Sequence, residues 1–79
     1  MQLNEALIIR IKELCDARNL RLGGLCTVAG LNQSTLDNLM SGRNRSATVS
    51  TLQKICDGLE MDLADFFDSP LFQDLDSPN

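Results

Sequence analysis

Apolar residues recur along this chain at helical spacing, in blocks separated by polar or glycine-containing connections. Leu7, Ile8, Ile11, Leu14 and Cys15 keep an i, i+3, i+4 rhythm, which marks one face of an amphipathic helix. The pattern predicts a helix from a cap at Asn4 to about Arg18, with Leu3 packed on Ile8 across the cap. Arg10, Lys12, Glu13 and Asp16 fall largely outside the stripe and read as a solvated face. Asn19-Leu20-Arg21 connects to the next block, with Leu20 turned inward.

The chain is organised around residues 22–40. Leu25, Cys26 and Ala29 line one face of a short helix, and Leu36, Leu39 and Met40 line one face of a second. Gly30 between them suits the left-handed position that closes a helix. Asn32 can accept from the free N–H groups of the second helix, with Leu31 packing on Leu36 as a staple. Helices are expected at about 22–29 and 32–41. The first starts badly: Arg21 is a poor cap, and Gly23 and Gly24 each cost roughly 0.5–1 kcal/mol relative to Ala in a helix. Either tertiary packing rescues that turn or a group such as a phosphate oxygen approaches its backbone closely.

Ser41 to Ala47 is a polar loop with two arginines, and Gly42 is a natural helix terminator. Thr48, or Ser50, caps a further helix whose apolar face is Val49, Leu52, Ile55, Cys56 and Leu59. Gly58 inside it is unfavourable by propensity, so a close helix contact is expected there. Asp62 caps another helix, with Met61 and Phe66 as its staple. Ser69-Pro70 ends it and can begin one more turn containing Leu71, Phe72 and Leu75. Asp76 to Asn79 are expected to be disordered. The fold class is therefore all-α with five helices, residues 1–68 forming the domain and residues 69–79 an acidic C-terminal tail.

Composition narrows the chemistry. The 79 residues include no His, and the cysteines at 15, 26 and 56 form no CxxC. Each falls on the apolar face of an expected helix, where a thiol behaves as a small hydrophobe. No metal, no cofactor and no enzymatic activity are expected, because no catalytic constellation can be assembled. Neither a membrane span nor a secretory signal pattern occurs, so a cytoplasmic protein is expected. Net charge is −4, yet residues 1–56 carry seven basic and four acidic side chains, and residues 57–79 carry seven acidic and no basic ones. A mildly basic body with an acidic tail is compatible with nucleic acid, since attraction is local within a Debye length of about 8–10 Å.

Two helices joined as tightly as residues 22–40 imply are suited to holding the second in a DNA major groove. With Leu36, Leu39 and Met40 buried, the opposite face shows Gln33, Ser34, Asp37 and Asn38, with Thr35 at its flank. Gln and Asn amides can pair bidentately with adenine N6 and N7, and Ser or Thr can meet hydrogen bonds or a thymine methyl. Asp37 is repelled by phosphate unless it accepts from cytosine N4 or pairs with an arginine.

Residues 7–67 resemble the Cro/cI-type (XRE-family) helix-turn-helix domain, the lambda-repressor-like all-α fold. The resemblance lies in Ile11-x-x-Leu14, Leu20, Leu25-Cys26-x-x-Ala29-Gly30-Leu31-Asn32-Gln33-Ser34-Thr35-Leu36-x-x-Leu39, Thr48-x-x-Thr51-Leu52-x-Lys54-Ile55-Cys56 and Met61-Asp62-Leu63-x-x-Phe66-Phe67. It implies a five-helix domain that binds double-stranded DNA at a pseudo-palindromic operator as a homodimer. The implied function is transcriptional regulation, of which a repressor of phage, plasmid or mobile-element type is the expected form. By position, Gln33, Ser34 and Asn38 become base readers, and Asn32 and Thr35 cap the helix or touch the backbone. Arg43, Asn44 and Arg45 become phosphate contacts, joined by Arg21. Three departures stand out, one being Cys at both 26 and 56 where the family carries another small apolar residue. Arg21-Leu22-Gly23-Gly24 occupies the place where members carry Ser or Thr, Gln and two acids. Apolar Cys15 and Met40 replace a common interior Arg–Glu pair, an exchange often neutral or stabilising. Phe66, Phe67, Leu71 and Phe72, with Leu75, contain more apolar surface than so small a core should need; part of it is expected to make the dimer contact, the alternative being that it closes the monomer's core. The rival reading is a protein-binding module, antitoxin-like or adaptor, with weak DNA affinity.

Overall fold

A computed structural model describes residues 1–41, 48–73 and 75–76. In order, α1 spans Leu3–Ala17, α2 Leu22–Ala29, α3 Gln33–Met40, α4 Val49–Gly58 and α5 Leu63–Phe67, followed by a 3-10 turn at Pro70–Phe72. The described elements are all helical. α2 packs against both α3 and α4, α5 lies on α4, and the 3-10 turn lies on α1. Leu7, Ile11, Leu25, Leu36, Ile55, Cys56 and Phe66 form the centre of a single core.

The ends of α1, α2 and α4 are built alike. Asn19, Gly30 and Glu60 take left-handed φ angles of 52°, 68° and 57°. In each case the next N–H, from Leu20, Leu31 or Met61, donates back to the carbonyl of Cys15, Cys26 or Cys56 at 2.9–3.0 Å. This six-residue closure satisfies a carbonyl left over at the helix end and turns the following apolar side chain onto the core. The three cysteines thus share one station, the last turn of a helix, and all three are buried.

Several expectations need correction. The cap of α1 is Gln2, not Asn4. Glu5 accepts the Gln2 N–H at 3.1 Å in a capping box, and the helix begins at Leu3, itself 47% exposed. Arg10 is not simply solvated: its Nε and Nη2 donate to the carbonyls of Phe66 and Asp65 at 2.7 and 2.9 Å. Val49 is 68% exposed, because it stands in the first turn of α4, outside the buried stripe. Thr48 rather than Ser50 caps that helix, accepting from the Thr51 N–H. Asp76, expected in a disordered end, donates its N–H to the Met1 carbonyl at 3.0 Å and holds the Met1 ammonium at 3.2 Å. Ser77 to Asn79 lie outside the described residues.

Candidate DNA-binding surface

The turn between α2 and α3 is fixed from both sides. The Cys26 carbonyl accepts from both Gly30 and Leu31, and Asn32 opens α3 by accepting the Thr35 N–H at 2.9 Å. Asn32 Oδ1 also takes the Ser34 hydroxyl proton at 3.2 Å. Thr35 is therefore the capped residue rather than the cap, and it is half-buried. Buried Leu36 and Leu39 anchor α3, with Met40 half-buried beside them. The cap and these anchors fix which side of the helix turns outward.

That outward side carries Gln33, Ser34, Asp37 and Asn38, all exposed. Gln33 Nε2 donates to Asp37 Oδ1 at 2.8 Å, and the Cys26 thiol donates to Gln33 Oε1 at 3.6 Å. Neither link was anticipated from the sequence, which offered Asp37 a cytosine or an arginine. The i, i+4 spacing of Gln33 and Asp37 was the available signal, since an amide and a carboxylate so placed meet on a helix surface. The Cys26 link had no local signal, because it joins two helices across a turn.

Arg21 is exposed at the N-cap of α2, without a side-chain cap bond, and borders an open groove of about 350 Å³ shared with Lys12 and Asp16. The two readings of the glycine pair divide between the residues. A Cβ at Gly24 would lie 2.8 Å from Leu20 Cδ1, so packing occupies that side, whereas at Gly23 nothing lies within 4 Å. Arg43, Asn44 and Arg45 lie outside the described residues. Asp76 is held at the start of α1 by Met1 and Gln2, so this acid of the tail is not laid over α3.

Of the residues expected at a dimer contact, Phe66 is excluded: it is 0% exposed and forms the centre of the core. Its ring is covered by Phe67, edge-on at 5.1 Å between centroids, and by Phe72 at 6.1 Å. Phe67 remains 39% exposed, and Leu71 and Phe72 are half-buried.

Among the described residues, no three His, Cys, Asp or Glu side chains come together to hold a metal ion, and no helix is long and apolar enough to cross a membrane. Burial pushes the Cys15 and Cys56 thiols above their ordinary range, with neighbouring Asp16 in one case and Asp57 and Asp62 in the other adding to the rise. Arg18 partly offsets the rise at Cys15. Both groups stay neutral, as core thiols do.

Comparison with known proteins agrees with this geometry. No curated protein matches the chain. Among solved structures, that of the prophage Lp1 protein 11 superposes with a TM-score of 0.81 at 37% identity, over 89% of this chain and 93% of that one. The family profile of the Cro/C1-type HTH DNA-binding domain matches residues 10–70, which takes in all of α2 to α5. With more than three quarters of its length matched in this way, the chain belongs to the Cro/C1-type helix-turn-helix DNA-binding family.

Proposed function

We propose that the protein is a transcriptional repressor that binds a pseudo-palindromic operator as a homodimer, with α3 lying in the major groove. One observation carries this reading: the rod of α3 is clamped by its cap and by buried leucines, while Gln33, Ser34 and Asn38 face solvent together. Gln33 and Asn38 offer amides suited to adenine edges, and Ser34 keeps acceptor lone pairs while its proton goes to Asn32. Asn32 stands beside them at the helix start, where free N–H groups favour a phosphate. Arg21 and the open backbone at Gly23 extend the phosphate contact along α2, and Arg43, Asn44 and Arg45 come in the chain two residues after the end of α3. Two-fold symmetry would set the recognition helices roughly 34 Å apart, one turn of duplex. A phage or mobile-element origin is supported by the likeness to a prophage protein. Regulation of this kind works by occupying DNA in the cytoplasm and requires no catalysis.

The test is selection of binding sites from random duplex with the full chain, followed by titration of the selected site at rising salt. A repeated half-site, two chains per duplex and a steep fall of affinity with salt are expected. Arg43→Ala should reduce the salt slope by about one. A chain that binds no duplex at low salt would instead be the protein-binding module. A promoter fused to the selected site should be silenced by the protein; activation would overturn the repressor assignment.

A further inference from the structure

The Gln33 carboxamide is gripped at both ends. Its Nε2 donates to Asp37 Oδ1 at 2.8 Å, and its Oε1 accepts from the Cys26 thiol at 3.6 Å. The single thiol proton also faces the Asn32 carbonyl at 4.0 Å, so the amide oxygen is the nearer acceptor. An amide has two N–H donors and two lone pairs on oxygen, and this grip uses one of each. One donor and one acceptor remain. Adenine presents that complement in the major groove, an acceptor at N7 and a donor at N6, whereas guanine presents acceptors at both N7 and O6.

Rotating the amide by half a turn would set its oxygen against the Asp37 carboxylate and its nitrogen against a thiol proton. At Asp37 acceptor would meet acceptor, which opposes the flip. At the other end the thiol could turn to the Asn32 carbonyl and its sulfur would accept only weakly from the amide, so the carboxylate is the stronger hold and the thiol the weaker. α4 supplies an internal comparison, since Gln53 Nε2 donates to Asp57 Oδ1 at the same spacing and the same 2.8 Å. Pairs of this kind support a helix. The α4 pair joins two successive turns of one helix, while the grip on Gln33 reaches across to a second helix.

We propose that Asp37 and Cys26 are positioning residues that hold the Gln33 carboxamide in one orientation, so that its place in the operator reads adenine and rejects guanine. This rests on Gln33 being a base reader. The Asp37 carboxylate has a second effect, because its charge opposes the approach of phosphates. Removing it should therefore tighten binding to unrelated duplex while relaxing the choice of base.

The experiment compares the wild-type chain with Gln33→Ala, Asp37→Ala, Asp37→Asn, Cys26→Ala and Asp57→Ala. Sites are selected from random duplex, and dissociation constants are then measured on duplexes carrying adenine or guanine at the position that Gln33→Ala flattens. Wild type should prefer adenine there. Asp37→Ala should cut the adenine-to-guanine ratio by at least about fivefold, the low end for one bidentate pair. Asp37→Asn should also lower the ratio, because an asparagine amide can turn either its oxygen or its nitrogen toward Gln33 and so enforces neither orientation, and Asp57→Ala should leave it untouched. Cys26→Ala should lower the ratio at this position and at no other. An Asp37→Ala protein with the wild-type ratio, where Gln33→Ala lowers it, overturns the positioning role alone. A Gln33→Ala protein that flattens no position removes the base-reading role and the proposal with it.

Discussion

Gly58 lies against the backbone of Val28: a Cβ built on Gly58 would stand 2.8 Å from the Val28 carbonyl carbon, 2.9 Å from its oxygen and 2.9 Å from the Ala29 nitrogen. The end of α4 thus touches the last turn of α2 with no side chain between them. Helix propensity alone would make Gly58→Ala stabilising by roughly 1 kcal/mol. Backbone cannot step aside as a side chain can, so the contact should outweigh that gain. We expect net destabilisation of about 1–3 kcal/mol, the range for overpacking, read from urea unfolding. A midpoint equal to or above the wild-type value would show that α2 and α4 separate without cost. Since α2 carries the turn into α3, the same variant should also bind DNA more weakly.

Glu60 closes α4 with a φ of 57°, where the ends of α1 and α2 use Asn19 and Gly30. A residue with a Cβ pays about 1–2 kcal/mol for that conformation, and Asn pays less than Glu. Glu60→Gly should therefore raise stability by about 1 kcal/mol, less the extra chain entropy glycine brings to the unfolded state. Thermal melts of Glu60→Gly and Glu60→Ala separate the cause. Glycine should raise the midpoint and alanine should leave it nearly unchanged, and a rise with both would point to charge instead.

The same helix end shows what was legible in the sequence and what was not. Gly30 announced its turn because glycine is the usual residue at a left-handed position. Glu60 and Asn19 gave no comparable sign, although the spacing from Cys56 to Met61 and from Cys15 to Leu20 repeats that from Cys26 to Leu31. The close approach at Gly58 was readable, because a glycine inside an apolar helical stripe needs a reason, and packing supplied it. Periodicity also found the core faces of α2 and α3 and the outward set of Gln33, Ser34 and Asn38. It failed where a side chain acts at long range in sequence. Arg10 is 55 and 56 positions from the carbonyls it binds, and no local pattern encodes that. Phe66 and Phe67 are adjacent and alike, so sequence alone could not say which one the core would take. The structure buries Phe66 and leaves Phe67 partly open.

Arg10 closes the open end of α5. Its guanidinium serves the Phe66 and Asp65 carbonyls, in the last turn of a helix only five residues long. A cation is favoured there by the helix dipole, and charge-assisted bonds exceed neutral ones. Arg10→Met keeps much of the apolar stem and deletes both bonds, and should cost about 1.5–3 kcal/mol. Arg10→Lys, with a point charge in place of a fork, should recover only part. Equal stability of all three proteins by denaturant unfolding would refute this account of how α5 is held.

The buried thiols make stability depend on alkaline pH. In the folded chain burial holds Cys15 and Cys56 above the ordinary thiol value, which they regain on unfolding. Above that value the unfolded state loses its thiol protons first and binds fewer than the native state. Stability is therefore complete below about pH 9 and declines as pH rises toward the folded values. Unfolding free energies at pH 8 and pH 10 should differ more for wild type than for the Cys15→Ala, Cys56→Ala double variant, which lacks both groups. Equal slopes would assign the alkaline loss to other residues.

The exposed part of the Phe67 ring offers the sharpest test of self-association. Phe67 packs edge-on against Phe72 at 4.9 Å and against Phe66 at 5.1 Å, yet 39% of it faces solvent, and Leu71 on the following 3-10 turn is half-buried. If this surface joins two copies, Phe67→Ser removes apolar area from both sides of a two-fold contact at once. Sedimentation equilibrium should then show the dimer weakened by about tenfold, since the exposed parts of the two rings together are worth roughly 1–2 kcal/mol of association and about 1.4 kcal/mol is tenfold. Loss of the ring's contacts inside the monomer lowers stability too, so Leu71→Ser, on the 3-10 turn that follows α5, is the companion variant. A wild-type dimer unchanged by both substitutions would place the contact elsewhere. Operator binding distinguishes the consequence: a half-site should hold the Phe67→Ser protein as well as wild type, and only the full site should lose affinity.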